Sequence, residues 1–390
     1  MRFMVLSHLH NSLLISPDFI FRHHSKSRNK LFVLLSSSIT CLCEDNDHLT
    51  LFQNLFVHRK FGTNIIGICN GIICMHNYRD IFFINPTIRY CFNLPLHEDK
   101  SSKHTYGYAY GFISCGLSDY SVVKIDLDAK NFYYADSDDD DDGGYIASPR
   151  KAWVYTYLEN VWRPLEIPDW TICTTATNIA YNGVVYYGLL HWGAKRWVEG
   201  AWYYFILTFD PQTKVFGELL LADSLAAAIY SYNDQNGVIV VQNSTKPLTL
   251  YSLIFSEENY CTAAVWVMDK YGMTESWNQI FTFNYAHNYI SSNLFGFNPD
   301  IHSYIELPFL LFHRGDGKLL FDVELSTPYL ETYSVCSLDI SNISHVLIRN
   351  NIRKFDFDHL YIGYSPPSLF LLDKVSASSK CYAYAYSFMT

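Results

Sequence analysis

Residues 67–75 read Gly67-Ile68-Cys69-Asn70-Gly71-Ile72-Ile73-Cys74-Met75, an Asn-Gly pair between two apolar runs. Asn-Gly accepts the two positive φ angles of a type I′ turn, whose twist matches paired antiparallel strands, so the stretch predicts a β-hairpin. Ile81-Phe82-Phe83-Ile84, the turn Asn85-Pro86-Thr87 and residues 89–94 extend it to a three-strand meander. The same order recurs after Asn182-Gly183: Val184-Val185-Tyr186-Tyr187 leads to Leu190-His191-Trp192, then residues 203–209, the turn Asp210-Pro211-Gln212-Thr213, and residues 214–219. Asn236-Gly237 and Asp316-Gly317 are two further hairpin signals, the second opening a looser copy through 319–322 and 330–335. Residues 152–157 leading to Trp162-Arg163, and 264–268 leading to Ser276-Trp277, share one more pattern: strand, short polar turn, Trp-led strand.

Markers near Glu159, Pro211, Lys270 and Thr327 lie 52, 59 and 57 residues apart. A recurrence of roughly 40–60 residues carrying about four short strands is the signature of a propeller blade, whereas a sandwich or jelly roll needs no period. The expected fold is therefore all-β, a β-propeller, with a large β-sandwich or barrel as the alternative. The 31 Tyr and 27 Phe suit pleated, half-buried surfaces, and radial repetition keeps aromatic strand edges out of solvent. Gly107-Tyr108-Ala109-Tyr110-Gly111 reads as a blade turn, and the alternating Cys381-Tyr382-Ala383-Tyr384-Ala385-Tyr386 as a strand that closes the ring.

With 49% hydrophobic and 17% charged residues the 390-residue chain is too apolar for disorder. A net charge of -10 removes the basic footprint of general nucleic-acid or anionic-membrane binding. Ten scattered cysteines read as reduced, mostly buried thiols. His8 and His10 interrupt the only apolar stretch at the start, so no signal peptide is read. No window reaches the roughly 18 apolar residues of a membrane span. A soluble intracellular protein, in cytoplasm and nucleus, is the expectation, which leaves the sequons at Asn243 and Asn342 without meaning. Residues 1–28 carry a helix-like pattern, and residues 136–144, with Asp138-Asp139-Asp140-Asp141-Asp142, read as an exposed, self-repelling loop.

Catalytic and cofactor signatures are missing. There is no Gly-rich phosphate loop and no Gly-x-Ser-x-Gly elbow. Cys41-Leu42-Cys43 and Cys69-x4-Cys74 lack a second ligand pair at zinc spacing, and His23-His24 diverge on a helix, so no metal and no cofactor is expected. His191-Trp192 reads as a packing pair. A propeller enzyme with its carboxylates on separated loops stays open as a third reading.

Gly67-Ile68-Cys69-Asn70-Gly71-Ile72-Ile73-Cys74, Asn85-Pro86-Thr87-Ile88-Arg89 and Leu94-Pro95 resemble, in order, the "G-x-CNG-L-C", "NP-x-T-R" and "LP" segments of plant F-box proteins with an F-box-associated domain. Tyr110-Gly111-Phe112 with residues 118–125, Val154-Tyr155 with Trp162-Arg163, Asn182-Gly183 with His191-Trp192, and Phe209-Asp210 keep the family order. Trp266-Val267-Met268, Tyr271-Gly272 and Glu275-Ser276-Trp277 resemble a segment frequent in its S-locus branch. The resemblance implies a propeller over 29–390 that holds a protein target. It also implies an SCF-type ubiquitin ligase, in which the F-box docks on a Skp-type adaptor and cullin and this chain performs no catalysis. Residues 11–20 resemble only the end of an F-box, making 1–28 a shortened remnant; the adaptor contacts it implies are Leu13, Ile15, Pro17, Phe19 and Ile20. A stand-alone protein-binding propeller or decoy receptor is the alternative.

Overall fold

Asn70 and Gly71 take φ of 47° and 74°, so the quoted stretch forms the expected type I′ turn, joining β4 (Asn64–Cys69) to β5 (Ile72–His76). The computed structural model describes the backbone of residues 19, 22, 30–35, 38–45, 48–56, 64–77, 80–87, 90–95, 105–116, 119–132, 144–167, 182–198, 201–230, 238–242, 247–255, 260–286, 304–305, 310–313, 318–327, 330–339, 345–353 and 361–365. Side chains are described chiefly between Ile65 and Thr282.

Among the described residues the strands form six antiparallel units. The first contains β1 (Lys30–Leu35), β2 (Ser38–Asp45) and β3 (His48–Phe56). The second adds β6 (Ile81–Asn85) and β7 (Tyr90–Asn93) to β4 and β5. The third is β8 (Thr105–Ser114), β9 (Tyr120–Phe132), β10 (Gly144–Thr156) and β11 (Val161–Leu165). The fourth is β12 (Asn182–Tyr186), β13 (Leu189–Val198), β14 (Ala201–Asp210) and β15 (Val215–Leu220). Helix α1 (Asp223–Tyr230) leads to the fifth, β16 (Val238–Gln242), β17 (Leu248–Phe255), β18 (Tyr260–Met268) and β19 (Trp277–Ala286). The sixth holds β20 (Tyr304–Ile305), β21 (Leu310–His313), β22 (Lys318–Thr327), β23 (Leu330–Asp339) and β24 (His345–Arg353).

β25 (Tyr361–Ser365) pairs with β1 and completes the first unit, so a strand from late in the chain joins the earliest blade. The inner strands β25, β4, β8, β12, β16 and β21 touch in that order and return to β25. This is an all-β, propeller-like ring. The expected closing strand over 381–386 lies outside the described residues; closure is made by Tyr361–Ser365.

The core is layered between blades. One cluster joins blades two and three around Phe83, Tyr120, Tyr155 and Tyr157. A second joins three and four around Ile125, Trp192 and Phe205, and a third joins four and five around Ile206, Leu250 and Trp266. β14 shows why its sequence is apolar without a break: Phe205, Leu207 and Phe209 enter one cluster while Tyr204 and Ile206 enter the next, so both faces of the strand are buried.

Two turn readings are corrected. Asn182-Gly183 opens β12 rather than turning; the type I′ turn falls at Tyr187-Gly188, with φ of 48° and 74°. Gly107–Gly111 lies inside β8, where Tyr110 and Gly111 pair in parallel with Asn182 and Gly183. Both corrections have one cause. Gly111 and Gly183 flank the Trp192 indole, and a Cβ on either would come within 2.6 Å and 2.5 Å of that ring. These glycines serve close approach, not turning. Asn236-Gly237, Asp316-Gly317, His23-His24 and residues 136–143 of the acidic run lie outside the described residues, and Gly144 at the end of that run opens β10.

Candidate functional site

Strands alternate direction within each blade, so first-to-second and third-to-fourth connections emerge at the same end. Parallel pairing of β12 with β8 sets those two blades the same way round. That end gathers Asn70-Gly71 and residues 115–116, 119, 157–160, 187–188, 211–214 and 269–276.

Much of the motif chemistry builds this face. The Asn70 amide donates to Ser114 Oγ at 2.8 Å and to the Gly116 carbonyl at 3.1 Å, tying blade two to blade three. Asn85 Oδ1 accepts from Thr87 N at 3.0 Å and Asp210 Oδ1 from Gln212 N at 2.8 Å, the same Asx-Pro turn in two blades. Asn160 and Lys214 occupy equivalent positive-φ positions, each donating four residues back, to Thr156 and Asp210. The weak repeat in sequence is thus a repeat of turn geometry.

Blades four and five meet at an aromatic platform. Tyr187 at the β12–β13 tip is 72% exposed. Its ring stacks on Tyr271 with centroids 4.9 Å apart and planes 5° from parallel. Tyr186 packs against both, at 5.0 Å and 5.6 Å. Beneath lies His191, fully buried, whose Nε2 is 2.7 Å from the Tyr271 hydroxyl. The backbone of Leu189 and Val184 lies by the ring, but Nδ1 has no well-oriented hydrogen bond, so the Tyr271 contact is the one that fixes the imidazole. Burial pushes His191 down to about 4 and Tyr271 up to about 12, so both are neutral near pH 7. His191 is therefore a packing residue, as expected, and also the anchor of the platform.

The turn carrying Tyr271 is held from below. Ser276 Oγ accepts from Lys270 N at 3.1 Å and lies 2.8 Å and 2.7 Å from the Lys270 and Met273 carbonyls. Asn278 donates to Asp269 at 2.7 Å, and Trp277 reaches the Leu220 carbonyl at 3.4 Å. The Tyr271-Gly272 and Glu275-Ser276-Trp277 motif is scaffolding; Lys270 and Met273 remain exposed on it.

Of the adaptor contacts implied by the F-box resemblance, Leu13, Ile15, Pro17 and Ile20 lie outside the described residues, and Phe19 is helical and half-buried. Cys41 and Cys43 both lie on β2, with a register irregularity after Cys41. Cys69 and Cys74 sit on neighbouring strands, both raised by burial. Among the described residues no three His, Cys, Asp or Glu side chains group to hold a metal, and no helix is long and apolar enough to cross a membrane. The Tyr187–Tyr271 stack escaped sequence reading because Tyr is rare at positive φ; the only signal was the Tyr-Gly dipeptide in each turn.

No curated protein sequence matches the chain significantly. Among solved structures it is similar to a chain of a nidogen/laminin complex, at 10% identity over 87% of this chain and 100% of that one, with a TM-score of 0.40. A family 117 glycoside hydrolase from Zobellia galactanivorans is similar at 9% identity over 66% of this chain and 73% of its own, with a TM-score of 0.33. A Synechocystis apocarotenoid oxygenase is similar at 10% identity, 87% and 92% coverage and a TM-score of 0.31. The model of the F-box associated beta propeller domain matches residues 29–306, and with the ring of blades described above the chain belongs to the F-box-associated β-propeller domain family.

Proposed function

We propose that this chain is the target-holding subunit of a Skp–cullin–F-box ubiquitin ligase of the plant type its motifs resemble, presenting a captured protein for ubiquitination. The observation that carries the reading is the F-box-associated propeller over residues 29–306. In this role the chain performs no chemistry of its own and needs no cofactor, because transfer of ubiquitin belongs to the recruited conjugating enzyme. Its partners are a Skp-type adaptor, a cullin and one protein target, met in the cytoplasm and nucleus. Exposed aromatics on the turn face supply rigid contact area at low entropic cost, the usual chemistry of a protein-binding hot spot.

The test is a pull-down of a Skp-type adaptor by the 390-residue chain, beside a fusion carrying a complete F-box before Asn11. Retention by both supports a working receptor. Retention by the fusion alone supports a propeller without its ligase link, and retention by neither moves the protein to a stand-alone binding module.

A further inference from the structure

We propose that the Tyr187–Tyr271 stack is the docking point for an arginine side chain of the captured protein, a step that rests on the target-holding role above. Tyr187 is 72% exposed, yet two neighbouring rings set its orientation, and one of them is itself anchored. One ring face is covered by Tyr271 at 5° from parallel, the edge is met by Tyr186, and Tyr271 is itself bonded to buried His191. The outer face of Tyr187 is left toward solvent as a fixed, flat, electron-rich surface.

A guanidinium suits such a surface. It is planar, more weakly hydrated than an ammonium, and stacks on aromatic faces within about 6 Å of the ring centre. The same fold uses its rings this way internally: Lys124 lies 4.1 Å over Tyr108, and Arg196 4.8 Å over Tyr203. Among the described residues no cation lies over Tyr187 or Tyr271, and the 72% exposure of Tyr187 leaves it reachable by an external one.

Charge agrees in sign. Across the described turn face, from blade three to blade five, stand Asp119, Glu159, Asp210, Asp269 and Glu275 against Arg163, Lys214 and Lys270. Arg163 is already paired with Glu159 at 2.9 Å. Asp269 and Glu275 share the turn that bears Tyr271, and the whole chain is at -10. A basic side chain is drawn to this face, and the ring gives it a seat.

The experiment titrates the full chain with acetyl-capped tetra-arginine and with its uncharged tetra-citrulline isostere. Variants are Tyr187→Phe, which keeps the ring, and Tyr187→Leu, which keeps apolar area without it; thermal unfolding confirms that each is folded. The expected result is saturable tetra-arginine binding that Phe preserves within about twofold and Leu weakens by about three- to tenfold, with citrulline weaker by at least as much. Equal binding by the Leu variant, or by citrulline, overturns the proposal. The adaptor pull-down is independent: its failure with peptide binding intact removes the ligase link and leaves the arginine seat, and the reverse outcome removes only the seat.

Discussion

Trp192 donates its indole N–H to the carbonyl of Tyr110 at 2.8 Å, crossing from blade four to blade three. It does so between two glycines, Gly111 and Gly183, whose missing side chains make room for the ring. Trp162 reaches the Pro95 carbonyl at 2.9 Å, and Trp277 the Leu220 carbonyl at 3.4 Å. In three successive blades an indole thus reaches backbone belonging to, or just following, the blade before it. A buried donor that finds a partner while its ring fills the inter-blade gap gives both packing and register.

Gly183→Ala places a methyl 2.5 Å from the Trp192 ring, and overpacking of this kind costs about 1–3 kcal/mol. Trp192→Phe removes the indole bond to the Tyr110 carbonyl, at a cost of about 0.5–1.5 kcal/mol for the hydrogen bond itself. Because the smaller ring also relieves the clash, the double variant is expected to lose less than the sum of the two singles. Denaturant unfolding of all four proteins measures this; strict additivity would show that the contact is not the cause.

His191 makes stability fall in acid. Its folded value near 4 lies below the ordinary 6.5, so between these limits the unfolded chain takes up a proton that the folded chain refuses. The contribution is full above about pH 6.5 and is lost as pH drops toward 4, by roughly 3 kcal/mol. In His191→Leu the dependence of stability on pH across this window should be shallower by about one proton. Parallel slopes for the two proteins would refute the assignment.

Lys124 and Asp126, two positions apart on β9, form an ion pair of 3.0 Å with side chains 14% and 6% exposed. Asp126 Oδ1 has no well-oriented hydrogen bond beyond that pairing. Lys124→Met leaves a buried carboxylate uncompensated and should cost about 3–5 kcal/mol, while adding Asp126→Leu should recover most of the loss. Thermal midpoints of the single and double variants decide it: a double no more stable than the single counts against a desolvated pair.

Thiol chemistry should be slow. Burial raises Cys69 to about 11 and also raises Cys74 well above the ordinary thiol value, and the exposed Cys115 is raised too, chiefly by burial of its sulfur. Since the thiolate is the nucleophile, alkylation at pH 8 followed by peptide mapping should label Cys115 and half-buried Cys69 sluggishly and buried Cys74 only on unfolding. Rapid native labelling of Cys69 would contradict its surroundings.

The blade pattern was legible wherever structure is local. Asn70-Gly71, Asn85-Pro86 and Asp210-Pro211 turn because of their own side chains and φ preferences, and the runs between them become strands by composition. Residues 152–156 and 264–268 fall in β10 and β18, Tyr157 beginning the turn after β10, with Trp162 and Trp277 near the starts of β11 and β19, as their pattern implied. Asn182-Gly183 misled because the same dipeptide serves a turn and a close approach, and sequence spacing alone does not separate the two.

Sequence by itself determined that the chain is all-β, repeating, built for aromatic burial and related to F-box-associated propellers, since hairpin turns and strand alternation are short-range properties. Only the tertiary structure decided which late strand completes the first blade, which glycines admit Trp192, and that Tyr187 meets a tyrosine 84 positions further on. Those pairings join separate blades, and no local preference along the chain encodes how one blade's face is seated on the next.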